Sequence, residues 1–298
     1  MKYKIIMLIL IVFFILSGCI RQNENIINEN IMNELSNKKV LFDNAHSQTA
    51  GNADWTIRGG FSDFATDIKN TGAKVYEWGN DESGSNQRDD DEPITYDVLK
   101  KYDVYIIPEP NKIFTKEEQN AIIKYISDGG SVFFIADHID ADRNNDGWDA
   151  VEIFNGFLKG THQIESNNSY DDDFVGRLGF RFKEKSYSEN PITKVEKHLI
   201  TEGVKETGAW AGTSEYIINA DKIISIINYN RESWGAYVIA GEYGKGKFVA
   251  IGDSSPIDDG TGTYGDKLYD GYSYGDNRKL MVNIIKWLAL EKYSINSY

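Results

Sequence analysis

A three-layer α/β sandwich built on a mostly parallel sheet is the fold that this 298-residue chain predicts. Short apolar runs recur at 39–43, 103–108 and 131–136, and each opens into a polar loop. Segments with helical spacing of apolar residues stand between them, joined by short links. Strand, helix, strand, strand, helix, strand in that order is satisfied by a parallel sheet wound on both faces. Apolar residues make up 41% of the chain and aromatics 13%, enough to fill such a core and too many for a disordered polymer.

Each element has its own local reason. Lys39-Val-Leu-Phe-Asp43 reads as a buried strand leading into the polar loop 44–52. Phe61, Phe64, Ala65 and Ile68 share one face of a helix over 61–70, which ends near Gly72. Ala73 to Trp78 is the next strand, and a polar, acidic loop follows from Gly79 to Glu92. The third strand is 103–108. Thr115, with Glu118 three residues on, forms a capping box for a helix that runs to about Ser127 and stops at Gly129-Gly130. The fourth strand, 131–136, ends in Asp137-His138. From Asp140 to about Asp221 the rhythm gives way to a polar, irregular insertion whose one helix runs from Asp149 to Leu158. Lys222–Tyr229 and Ala236–Glu242 read as strands. Tyr243-Gly-Lys-Gly246 turns tightly into the strand 247–252, which ends in Asp253-Ser-Ser255. The final helix, Asn277–Leu290, places apolar residues at 280, 281, 284, 285 and 288.

The amino terminus sets the location. Lys2 and Lys4 precede an apolar stretch from Ile5 to Leu16. That length suits a secretory signal and falls short of the roughly 20 residues a spanning helix needs. The stretch closes on Leu16-Ser17-Gly18-Cys19, and Cys19 is the only cysteine in the chain. Leu-Ser-Gly-Cys resembles the bacterial lipobox, in which the cysteine becomes the lipid-modified first residue of the mature protein. The resemblance implies a signal peptide over 1–18, lipidation (palmitate) on Cys19, a tether over 19–37 and a folded domain over 38–292, with its insertion at about 140–221. It makes the membrane a partner, through a lipid anchor, and the domain extracytoplasmic. An ordinary signal, or an anchor helix with an incidental cysteine, is the alternative. The net charge is −14, from 46 acidic and 32 basic residues, which argues against nonspecific nucleic-acid binding.

Several segments together resemble the class I glutamine amidotransferase-like superfamily, in its ThuA-like and related uncharacterised branches. They are Val40-Leu-Phe-Asp43, Tyr102-Asp-Val-Tyr-Ile-Ile-Pro108, the run from Glu117 to Ile135, Gly244-Lys-Gly-Lys-Phe-Val-Ala-Ile-Gly-Asp253, and Asn277 through Trp287. They cover most of 39–140 and 222–290, and they imply a flavodoxin-like three-layer sandwich. Active members carry a cysteine at the turn after the strand that here ends at Ala136. This chain has Asp137 and His138 there, so cysteine-dependent chemistry is ruled out.

In open parallel sheets ligands bind beyond the carboxyl ends of the strands. Those ends carry Asp43, Asn44 and His46, then Glu109 and Asn111, then Asp137 and His138, then Asp253 and Ser254. Asp43, His46, Glu109, His138 and Asp253 are therefore the candidate catalytic residues, expected to converge on one rim. Such a cluster can hold a divalent metal that acidifies a bound water, or let His46 or His138 act as a general base. Loops after strands are polar for other reasons too, since Asp caps turns and helices. From Asp142 the chain reads Asp-x-Asn-x-Asp-Gly, the opening of a calcium loop, so Asp142, Asn144, Asp146 and Glu152 are candidate Ca²⁺ ligands. An acidic turn ahead of the helix at 149, capped by Asp146 or Asp149, is the alternative. Two functions follow: a metal-assisted hydrolase of extracellular polymers or of sugar or phosphodiester derivatives, or a noncatalytic module that binds carbohydrate or protein. The small-molecule or polymer ligand itself stays unspecified.

Overall fold

The computed structural model describes residues 34–79, 93–262, 269–290 and 293–296. Cys19 with its lipobox, most of the tether and the acidic loop 80–92 lie outside the described residues. Among the described residues no helix is long and apolar enough to cross a membrane.

The apolar runs become strands because each has a covered layer on both sides. Strand β1 is Lys39–Asp43, followed by helix α1 Ser62–Asn70, β2 Lys74–Trp78, helix α2 Tyr96–Leu99 and β3 Val104–Pro108. Helix α3 Lys116–Asp128, β4 Ser131–Ile135 and helix α4 Ala150–Asn155 come next. The insertion then contributes β5 Phe180–Phe182, β6 Tyr187–Ile192, β7 Lys194–Val195, β8 Thr207–Gly212 and β9 Glu215–Ile217. The chain closes with β10 Ile223–Asn228, β11 Ala236–Tyr243, β12 Gly246–Ile251 and helix α5 Asn277–Ala289.

The main sheet runs β2-β1-β3-β4-β12-β11-β10-β7. Its first five strands pair in parallel, in the order of a flavodoxin-like doubly wound sheet whose fifth strand is β12. Strands β11, β10 and β7 extend it antiparallel. Residues alternate between two cores. Val40, Phe42, Val104, Ile106, Phe133, Ile135, Val249 and Ile251 face α1 and α5. Leu41, Tyr105, Ile107, Val132, Phe134, Phe248 and Ala250 face α3 and α4. The sandwich thus has three layers.

Helix α3 begins as its sequence dictates, with both halves of the capping box at Thr115 and Glu118 formed. It stops at Gly129, whose φ of 120° is open to glycine. Gly130 is glycine for a different reason: a Cβ there would lie 2.1 Å from the ring of Tyr125. Two expectations are corrected. The insertion is not irregular: β5 and β9 join the main sheet through β11, and β6 with β8 forms a second, two-stranded sheet. Strands of two to six residues are too short to show a period against a polar background. The helix expected over 149–158 ends at Asn155, because Gly156 turns left-handed (φ 93°) and returns its N–H to Glu152.

Candidate functional site

The parallel strands bring two groups of ionisable side chains to their carboxyl edge. The first sits at the point where strand order reverses, between β1 and β3. The loop after β1 doubles back at Ser47, whose φ is 58°. Gln48 clamps it, donating through Nε2 to Asp43 Oδ2 at 3.0 Å and to the Pro108 carbonyl at 3.1 Å. His46 Nδ1 lies 2.7 Å from Asp43 Oδ2, and its Nε2 lies 3.3 Å from Glu118 Oε1 on α3. The ring stacks on Phe114 with centroids 3.7 Å apart. Burial alone would lower the His46 pKa, but the Asp43 and Glu118 carboxylates raise it to about 9. Burial would raise Glu118, yet hydrogen bonds from His46 and Thr115 hold it at about 2. Both ring nitrogens of His46 are thus engaged by carboxylates, which favours its imidazolium form.

The second group gathers Glu109 after β3, Asp137 after β4 and Asp253 after β12, all buried. Arg143 reaches in from the loop after β4. It donates through Nε to Glu109 Oε1, through Nη2 to Asp137 Oδ2 at 2.7 Å and through Nη1 to Asn52 Oδ1 at 2.8 Å. Its guanidinium also lies over the Trp55 ring, 5.6 Å from the centroid. Ser254 Oγ donates to Glu109 Oε2 at 2.6 Å. Asp253 accepts the backbone N–H groups of Trp210 at 2.5 Å and Ser255 at 2.8 Å. Burial pushes Asp253 up to about 7. Burial, then the charges of Glu109 and Asp253, pushes Asp137 well above the ordinary carboxylate range, against the pull of Arg143.

The expected rim therefore divides. Glu109 and Asp137 meet at Arg143 with the charge of Asp253 close by, whereas Asp43 and His46 close on Glu118 and Gln48. His138 stands at the side, its Nδ1 2.6 Å from the Ile139 carbonyl and its Nε2 4.0 Å from Asp137, with 30% of its side chain exposed. Two amide oxygens at this edge, Asn44 Oδ1 and Asn111 Oδ1, are buried without a hydrogen-bond partner among the described residues.

Asp142, Asn144 and Asp146 share one loop but satisfy its own groups. Asp142 accepts from the N–H of Asp146 at 3.1 Å and of Gly147 at 2.9 Å. Asp146 accepts from the Trp148 N–H and from Asn144 Nδ2, both at 2.9 Å. Asn144 also donates to the Asn111 carbonyl. Glu152 belongs to the start of α4, where Asp149 is the N-cap and the two form a capping box. One Glu152 oxygen takes the Asp149 N–H at 3.0 Å and the other the Lys159 N–H at 2.7 Å. Among the described residues no group of three or more His, Cys, Asp or Glu is placed to hold a metal ion.

Sequence reasoning passed over Arg143, the residue that organises the edge. Its signal was being the one cation in the acidic run 140–149. Glu118 was read only as a cap, and it caps while also pairing with His46.

No protein-family model matches the chain, and no curated protein matches it by sequence. Solved structures do resemble it. The mmIFT52 N-terminal domain aligns with a TM-score of 0.58 at 13% identity, over 84% of this chain and 97% of that one. Cytoplasmic protein STM1381 from Salmonella typhimurium LT2 aligns at 0.50 and 12% identity, over 84% and 99%. A ThuA-like protein from Parabacteroides merdae ATCC 43184 aligns at 0.47 and 12% identity, over 88% and 92%. At such identities a likeness speaks to fold alone, and the first of these agrees with the doubly wound sheet.

Proposed function

We propose that the chain is a membrane-tethered, extracytoplasmic binding module on a degenerate amidotransferase-like scaffold, and that its carboxyl edge performs no hydrolysis. One observation carries this reading: every acid or base that a hydrolase would need there, except the marginal His138, already has a partner inside the protein. Glu109 and Asp137 are held by Arg143, Asp253 by two backbone N–H groups, and His46 by Asp43 and Glu118. A catalytic base must keep a lone pair for substrate, and an imidazolium between two carboxylates has none. Asp137 stands at the turn where the resemblance puts a nucleophilic cysteine, and its carboxylate faces Arg143 at 2.7 Å. The unpartnered oxygens of Asn44 and Asn111, at the crevice where such sheets take ligands, favour recognition over inertness. Tethering rests on Lys2, Lys4 and the Leu16–Cys19 run.

The full chain in detergent, given Zn²⁺, Mn²⁺ or Mg²⁺ with p-nitrophenyl glycosides and bis-p-nitrophenyl phosphate, is expected to show no turnover above buffer. Metal-dependent turnover that Glu109→Gln removes would establish the hydrolase instead. Cys19→Ser is expected to release the protein from membranes or leave it as precursor, and unchanged fractionation would count against the anchor.

A further inference from the structure

We propose that a cleft at the opposite, amino edge of the sheet binds a neutral oligosaccharide. This supplies a ligand class that the binding reading leaves open, and it uses none of the carboxyl-edge residues. The cleft has a volume of about 750 Å³, within the range of small-ligand sites. It opens where β1, β3, β4 and β12 begin, between Lys38, Asp103, Ser131 and Lys247.

Tyrosines form part of its walls. Tyr96, Tyr102, Tyr125 and Tyr293 line it, and all but the buried Tyr125 are partly exposed. A tyrosine ring offers an apolar face beside a polar tip, which matches a pyranose with its C–H face and hydroxyl rim. Carboxylates stand within the same walls. Asp128 accepts the Tyr96 hydroxyl at 2.7 Å and the Lys124 ammonium at 2.6 Å, and Glu242 accepts the Ile295 N–H at 3.0 Å. Each has a second oxygen or lone pair with which to take a sugar hydroxyl.

Most of the positive charge in the lining is already engaged. Lys38 is paired with Asp103 at 2.9 Å and Lys100 with Asp97 at 2.5 Å. The Lys247 ammonium is bound to the carbonyls of Trp287 at 2.5 Å and Leu290 at 2.8 Å. With Asp103, Asp128 and Glu242 in the lining as well, its four lysines leave a surplus of a single positive charge, little with which to hold phosphate or sulfate. Lys245, on the exposed turn between β11 and β12, adds a donor at its mouth.

The test is calorimetric titration of the full chain in detergent with chitotetraose, cellotetraose and maltotetraose, and with heparin as the anionic comparison. Saturable binding of at least one neutral tetrasaccharide is expected, insensitive to 0.5 M salt. Tyr102→Ala is expected to weaken it about tenfold through loss of ring stacking. Lys245→Trp, at an exposed position, is expected to weaken it by filling the mouth while the melting midpoint holds. No saturable binding by any neutral probe, binding equal to wild type in both variants, or binding of heparin alone would overturn the assignment. Hydrolysis at the carboxyl edge would defeat the proposed function and leave this result standing.

Discussion

Replacing His46 by Gln removes the one positive charge between two buried carboxylates. In the folded protein the His46 pKa is raised from 6.5 to about 9. A group whose pKa rises on folding adds stability that is fully present below its unfolded value and disappears as pH climbs through its folded value. The window is therefore pH 6.5 to about 9. A shift of that size corresponds to about 3 kcal/mol, at 1.36 kcal/mol per pH unit. The Glu118 shift reports the same contact from the other side and is not added to it. Removing one member of a buried ion pair costs about 3–5 kcal/mol in general, which agrees. Urea unfolding of wild type and His46→Gln at pH 5.5, 7.0, 8.5 and 9.5 measures the effect. The variant is expected to lose about 3 kcal/mol at pH 5.5, and the gap is expected to shrink steadily toward pH 9.5. In thermal melts the loss at low pH should be several degrees, since 1 kcal/mol moves the midpoint of a large domain by about 2–4 °C. A gap that is the same at every pH, or below about 1 kcal/mol at pH 5.5, would refute the imidazolium clamp.

Three further outcomes follow from other contacts. Asp253, raised to about 7 by burial, binds a proton in the folded state between about pH 4 and 7. Its contribution therefore falls as pH rises through that window, and Asp253→Asn should flatten the stability–pH slope there, read by thermal melts. Lys247→Met should cost about 2–3 kcal/mol in urea unfolding, because the ammonium satisfies carbonyls at the end of α5 and lies 4.9 Å from the Trp287 ring centroid. The 142–147 loop is closed by its own amides and Glu152 by backbone N–H groups, so millimolar Ca²⁺ against EDTA is expected to move the melting midpoint by less than about 1 °C. A larger shift that Asp142→Ala abolishes would establish a calcium site there.

The layered fold was legible along the chain because its signals are local. Val40 and Phe42 against Leu41, or Phe133 and Ile135 against Phe134, alternate within a single strand. Thr115 and Glu118 meet within one helical turn, so spacing alone announces the cap. The register and length of such elements depend on neighbours a few residues away, and the order of letters contains that information. The insertion was less legible because β5 and β9 are three residues each and owe their existence to partners elsewhere in the chain.

The amino acids by themselves determined which side chains reach the carboxyl edge: Asp43 ends β1, and Glu109, Asp137 and Asp253 follow β3, β4 and β12. What they do there was decided by the tertiary structure. Helix α3 brings Glu118 to the second nitrogen of His46. Arg143, from an acidic loop, places its guanidinium on Glu109 and Asp137, a contact that no spacing along the chain announces. Hydrophobic period is a property of neighbouring residues, whereas the partner of a charge is set by distance in space and by the solvent that packing removes. Only the folded chain supplies both.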